Sequence, residues 1–509
     1  MKKISLFIFS VILFAFFRVS FAQSLSLDGI IAFESTLLPL DKGYAFVKKG
    51  KKNKGMRPFL INYYDWKLQK TSVEFDIPAG MGLKSLTFNG EIFLSVFLDI
   101  KEKTYTYYVH DMEGNELGKK IDPLNKVSES APEVRYSDTD GFYFFRTIKQ
   151  EKWGYRIEKV NSNLESVWTH EYIPEKKYAY YTLPTVNKNG LAFLRPQTES
   201  LTGSHNRAGY DLVILDKNTG EMSGTYSLLK SGFYLEPNTL VINEDYSVVI
   251  GGMFFNNTKE KNFNSDGVYL AKVNRSGKQV FLKTLPWDDK SNGLADLLYK
   301  KGKKQLIFTS DVACHHISQQ DDKYFLIFEA YKKASSGLVK AVNIATSKSL
   351  GGIVGAAQGK GDVDEGDVDV TLMDFLLLTF DSEGSLIGKS IVNKPEHSVT
   401  QKSSEDQYLI ATSGIDFDFQ FVSKDDIGVV FQGTVKKKLL VHRYFGFFPI
   451  KYQDEQIQPK EMLFEQKGKK FDGKATTKLY PNDTGKALLW EYYPSKFKLF
   501  LEVIDFSGN

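Results

Sequence analysis

Short apolar runs in this chain alternate with polar positions, end at Asp or Asn, and resume after a Gly that follows within three or four residues. A period of two puts alternate side chains on one face of a strand, and Asp or Asn followed by Gly is the chemistry of a tight turn. Each stretch therefore predicts a β-hairpin. Residues 267 to 285 show the pattern most plainly: Gly267 to Asn274 runs into Arg275, Ser276 and Gly277, and a further run returns from Gln279 to Lys283. The repeated unit is a strand after a polar turn, a variable loop, and a strand that runs into the Asp/Asn turn. It occurs eight times.

In order, the pairs are 44–47 with 58–65, 91–97 with 105–111, 141–145 with 154–161, 190–194 with 210–216, and 247–254 with 267–274. The sixth joins 324–331 to 374–381 across an insertion, Lys332 to Met373. The seventh, 427–431 with 439–445, has a degenerate turn, and the eighth, 487–490 with 497–505, stops just after its turn. Every other unit continues into a further strand, so the last lacks one. Residues Leu25 to Phe33 are expected to supply it, closing a ring through strand exchange between the termini. A strand such as Thr239–Ile242 precedes several hairpins, which makes about four per unit. Units of roughly 50 to 60 residues suit propeller blades better than solenoid coils of about 20 to 30. The expected fold is all-β, a β-propeller of eight blades with seven as the alternative; a pair of β-sandwiches accounts less well for eight similar units.

The run Phe375 to Asp381, followed by Ser382, Glu383 and Gly384, resembles the blade repeat of secreted bacterial β-propeller proteins: an apolar strand, Asp-x-x-Gly, another strand. The likeness extends over nearly all of the chain after its first residues. Membership of an uncharacterised propeller family of exported proteins would imply an architecture and no activity. Other propeller signatures are missing, since there is no repeated Trp-Asp pair, Gly251-Gly252 has no matching series, and Ser137 to Gly141 lacks the spacing and Trp of an Asp box.

The chain opens with Lys2-Lys3, an apolar run from Ile4 to Phe17, and Ser20-Phe21-Ala22, the layout of a signal peptide spanning 1–22 with the mature chain, a single domain, over 23–509. Arg18 interrupts the run short of a bilayer span, so no transmembrane segment is expected after its removal. The only cysteine, Cys314, lies far from the cleavage point, which excludes both a lipid-anchoring cysteine there and an intrachain disulfide. Loss of Lys2, Lys3 and Arg18 takes the formal charge from +4 to about +1 (4 − 3), and balanced charge gives no reason to expect nucleic acid. Aromatic residues reach 14%, which suits sheets packed face to face.

Candidate chemistry is sparse. Cys314, His315 and His316, with Asp311 nearby, form the one cluster of soft ligands, but adjacent His on a regular strand point to opposite faces and meet one metal only if the backbone turns. No Ser, His and acid fall in a nucleophile motif, and the catalytic residues, if any, are unknown. The insertion 332–373 reads as a short amphipathic helix over 336–350 followed by an acidic, Gly-rich loop. Its carboxylates Asp362, Asp364, Glu365, Asp367 and Asp369 are candidates for Ca²⁺, although Gly366 stands where an EF-hand has its third ligand. No other cofactor is expected. Loop lysines at 48–52, 149–152 and 436–438 would share the insertion's face.

The expectation is an exported, monomeric, non-catalytic propeller, periplasmic, envelope-associated or extracellular. It would bind a protein or glycan on its loop-bearing face, with no nucleic acid as partner. The alternative is a carbohydrate-active or other hydrolytic propeller with acids converging in its central funnel.

Overall fold

In a computed structural model the described residues are, apart from isolated positions, 21–28, 35–124, 132–149, 153–174, 181–197, 209–230, 233–256, 265–291, 299–300, 303–304, 311–333, 368–392, 397–401, 417–422, 426–437, 440–453, 456–459, 462–464, 476–481, 486–493 and 498–505. Eight antiparallel sheets follow one another along them, six of four strands and two with a fifth short strand added. A separate two-stranded ladder pairs Tyr299–Lys300 with Lys303–Lys304. In seven of the eight, four successive strands pair as a meander. Blade 5 illustrates the order: Tyr234–Ile242, Val248–Phe255, Gly267–Val273 and Gln279–Pro286 pair in succession.

Burial explains why each strand holds its place. The second strand of blade 5, Val248–Phe255, is buried along its whole length because blades cover both of its faces, whereas the fourth strand of blade 2, Glu116–Pro123, alternates between exposed and half-buried at the rim. Between blades lie continuous apolar clusters. Phe59, Ile61 and Tyr63 of blade 1 meet Phe88, Phe93 and Phe97 of blade 2, with the rings of Phe59 and Phe97 edge to face at 5.0 Å. Comparable clusters join blades 2 to 3, 3 to 4, 4 to 5 and 5 to 6. The first strands of neighbouring blades also approach one another, including those of blades 5 and 6, 6 and 7, and 7 and 8, so they line the axis.

The ring closes at its ends. Phe21–Asp28 pairs with Lys498–Asp505 as the fourth strand of blade 8, and Leu488, Leu499, Leu501 and Val503 of that blade pack on Tyr44, Phe46 and Tyr64 of blade 1. The protein is a β-propeller, with eight blades among the described residues. The closing strand lies earlier than the expected 25–33, because alternation places Leu25 and Leu27 against the cluster shared by blades 8 and 1. Its ladder is irregular between Phe21 and Gln23 and continuous from Gln23 to Asp28.

The Asp-x-x-Gly turn serves two purposes. In blades 1 to 6 the Asp or Asn side chain caps the turn: Asp381 Oδ1 accepts the N–H groups of Glu383 at 3.0 Å and Ser385 at 2.7 Å, and Asn274 Oδ1 does the same for Ser276 and Lys278. Between blades, the turn rests on the preceding blade's outer strand. A Cβ on Gly220 would stand 2.4 Å from the Trp168 ring, and one on Gly384 would stand 2.6 Å from Phe281. Both glycines have positive φ, 74° and 77°. In blade 3 Leu164 takes this position at φ 64° and is buried against blade 2 instead.

The insertion is shorter than its expected bounds of 332–373. The second strand of blade 6, Lys323–Lys333, and the third, Val368–Phe380, continue into both ends, pairing Lys332 with Thr371 and Lys333 with Val370. The expected helix over 336–350 lies outside the described residues. In blade 7 the hairpin carries on through Lys436 and Lys437, which pair with Val441 and Leu440, so these lysines belong to strands and not to a loop.

Candidate functional site

A cavity of about 580 Å³ opens on the inner wall where the first strands of blades 3, 4, 5 and 6 meet. A regular strand at the axis would fill this space with alternating side chains. Here the strands are not regular. The first strand of blade 4, Thr182–Asn187, slips register between Thr182 and Thr185; that of blade 5 slips between Pro237 and Thr239; that of blade 6, Asp311–Gln320, slips between Cys314 and His316. Each is a β-bulge, which bends the strand, loosens its ladder and re-aims a side chain. Proline explains two of the three, because Pro184 and Pro237 have no N–H to give a ladder.

Blade 6 shows the consequence for the His pair. Cys314 and Ile317 both enter the core shared with blade 5, three residues apart, so the extra residue between them breaks the alternation. Adjacent His lie on opposite faces only of a regular strand; the bulge is the exception the sequence left open, and both line the same cavity. His315 Nε2 lies 3.0 Å from the Glu329 carboxylate, and both side chains are almost fully buried, 4% and 0% exposed. His316 meets solvent in the cavity yet is walled by protein; that enclosure, with His315 adjacent, pulls its imidazole down to about 4. It is therefore neutral near pH 7, with one ring nitrogen donating and the other accepting.

From blade 3 come Glu133 and Arg135, ion-paired to each other. Glu133 is the one carboxylate among the described residues lining the cavity, and its charge is already met. Arg135 Nε also points to the Pro184 carbonyl at 3.5 Å. Tyr181 donates its hydroxyl to the Phe145 carbonyl at 2.9 Å, and burial raises its phenol well above the ordinary value, so it stays protonated. In blade 5 Thr239 Oγ1 accepts the Ile317 N–H at 3.2 Å, tying this strand to blade 6. Beside it, Asn238 Oδ1 is buried and meets no hydrogen-bond donor among the described residues. Leu183, Pro184 and Leu240 add an apolar wall.

The other candidates from the sequence do not converge here. Asp369 lies in a strand of blade 6, in register with Thr400. Asp362, Asp364, Glu365 and Asp367 lie outside the described residues. No group of three or more His, Cys, Asp and Glu close enough to hold a metal ion occurs among the described residues. Cys314 is buried, and burial raises its thiol well above the usual range, which leaves it a packing residue. No helix among the described residues is long and apolar enough to cross a membrane.

No family model matches the chain, and no curated protein matches its sequence. Among solved structures it is similar to the β-propeller domain of the Trilobed protease from Pyrococcus furiosus, at 10% identity and a TM-score of 0.32, covering 73% of this chain and 99% of that one. It is also similar to a post-proline cleaving enzyme from Rickettsia typhi, at 9% identity and a TM-score of 0.34, covering 83% of this chain and 52% of that one, so that it spans about half of the enzyme's length. A third likeness, at 8% identity and a TM-score of 0.32, is to an ACO/RPE65 chimera, covering 96% and 94%. Likenesses this distant carry no argument about activity, and the fold rests on the strand pairing and packing of the eight blades themselves.

Proposed function

We propose that the protein is an exported, non-catalytic binding module of the cell envelope or extracellular space, and that its ligand sits in the axial cavity and not on the loop-bearing face. The observation that carries this reading is the wall of bulged first strands, which opens a polar cavity of about 580 Å³, within the roughly 300–1,000 Å³ of small-molecule sites, around a buried acceptor left for a ligand to satisfy. The hydrolytic alternative needs two converging carboxylates. The described lining offers Glu133 alone, already neutralised by Arg135.

The test is turnover against binding. The mature chain, 23–509, is incubated with chromogenic glycosides and peptide amides, and in parallel with envelope extract followed by native mass spectrometry. The expected result is a bound small molecule released unchanged and no product from either substrate class. Product formation that Glu133→Gln abolishes would replace this reading with the hydrolytic one. The same preparation, expressed with its leader, is expected to have the mass of a chain beginning at Gln23.

A further inference from the structure

We infer that the axial cavity takes a neutral, hydroxyl-rich ligand of saccharide type, one or two rings in size, with Asn238 as its anchor and His316 as its second polar contact. This rests on the binding reading above and adds the ligand class and the residues that select it.

The first support is that the bulges recur in register. In blades 2, 5, 6 and 7 the extra residue of the first strand stands opposite equivalent steps of the second: Lys84 opposite Val96/Phe97, Asn238 opposite Gly251/Gly252, His315 opposite Ile327/Phe328, and Asp418 opposite Val430/Phe431. In these four blades the first strand is thus loosened at one height, and blades 5 and 6 bring that height to the cavity. At each bulge a residue is left out of the ladder, which frees backbone polar groups for a solute.

The chemistry of the cavity side then narrows the ligand. A buried amide oxygen without a donor is costly to leave unmet, so Asn238 Oδ1 calls for an O–H or N–H from whatever fills the space. Among the described lining residues the oppositely charged side chains, Arg135 and Glu133, meet each other. A charged ligand would shed its hydration without gaining a free counter-charge, whereas a neutral one would not. The neutral imidazole of His316 both donates and accepts, as a hydroxyl does, so the two pair in either sense. The apolar wall of Leu183, Pro184 and Leu240 suits the C–H faces of a sugar ring, which a purely polar solute lacks.

The test uses the mature chain, thermal-shift and calorimetric titrations, and a defined panel. The panel holds glucose, galactose, N-acetylglucosamine, maltose and cellobiose; the charged counterparts glucuronic acid and glucosamine; and the non-sugars adenosine and glycylglycine. The expected result is saturable binding of at least one neutral sugar, weakened roughly tenfold by Asn238→Ala and by His316→Ala. Lys84→Ala, at an equivalent bulge outside the cavity, should leave the affinity unchanged. Unliganded variants should melt within a degree or two of the parent, which separates lost contacts from lost folding. Preference for a charged sugar, or sugar binding indifferent to Asn238→Ala and His316→Ala, overturns the inference. Asn238-dependent binding of adenosine or glycylglycine alone overturns the ligand class and leaves the binding reading intact; no Asn238-dependent binding of any panel member, together with an empty cavity in the native mass spectrum, removes both.

Discussion

His110 shows how a buried side chain contributes to the protein's response to pH. It lies in blade 2 with 1% of its surface exposed, stacked on Phe75 at 4.0 Å, and its Nδ1 has no hydrogen-bond partner. Burial pulls its imidazole down to about 4, with Asp111 opposing this slightly. A histidine depressed in the fold takes up its proton more readily when unfolded, so its contribution is fully present above its ordinary value of about 6.5 and falls away as the pH drops toward 4. His170 and His316 are shifted in the same direction, and the free energy lost on acidification is shared among the three. The expected outcome is a melting temperature that declines from pH 7 to pH 4.5. His110→Phe, which keeps the stack on Phe75, should make that decline shallower; an identical decline in the variant would show that His110 stays neutral in the unfolded chain as well, or titrates normally in the fold.

At the scale of the element, the turn that defines the repeat is also the contact between repeats. Asp or Asn is needed because its side-chain oxygen caps two N–H groups of the turn, and that much is written in the sequence. The Gly has a second reason that local rules do not contain: at 220 a methyl group would meet the indole of Trp168, whose Nε1 donates to the Lys217 carbonyl at 3.0 Å in the same turn. Gly55 separates the two causes, since it has φ 86° but nothing within 4 Å of a Cβ. Gly55→Ala is expected to cost about 1 kcal/mol through backbone strain alone. Gly220→Ala should cost about 2–4 kcal/mol, because the steric conflict adds to the strain. Urea denaturation compares them, and equal losses would show that Trp168 yields freely. The bulges were partly legible too: Pro184 and Pro237 inside strands mark broken ladders, and Cys314 with Ile317 departs from a period of two. A local break, however, says nothing of what lies across the axis.

For the whole molecule, the closing strand decides whether eight sheets behave as one unit. Residues Gln23 to Asp28 make a continuous ladder with Lys498 to Val503, and Leu25 and Leu27 reach the cluster between blades 8 and 1. A chain lacking 1–28 leaves the edge of blade 8 bare and opens that cluster to water. The expected result is a melting temperature lower by ten degrees or more, on the order of several kcal/mol, with aggregation on heating; full-length stability in the truncated chain would show that blades 8 and 1 hold the ring by packing alone.

The alternation of apolar residues and the Asp/Asn turns determined the hairpins and their succession, because period-two burial and turn capping act between residues close along the chain. Which side chains share the cavity was decided only in three dimensions. Glu133, Tyr181, Asn238 and His316 come from four blades, and their meeting depends on the curvature of the ring and on bulges that shift register by one residue. The same holds for the His pair: local geometry assigns its two rings to opposite faces, and a single extra residue in the strand places them in one cavity.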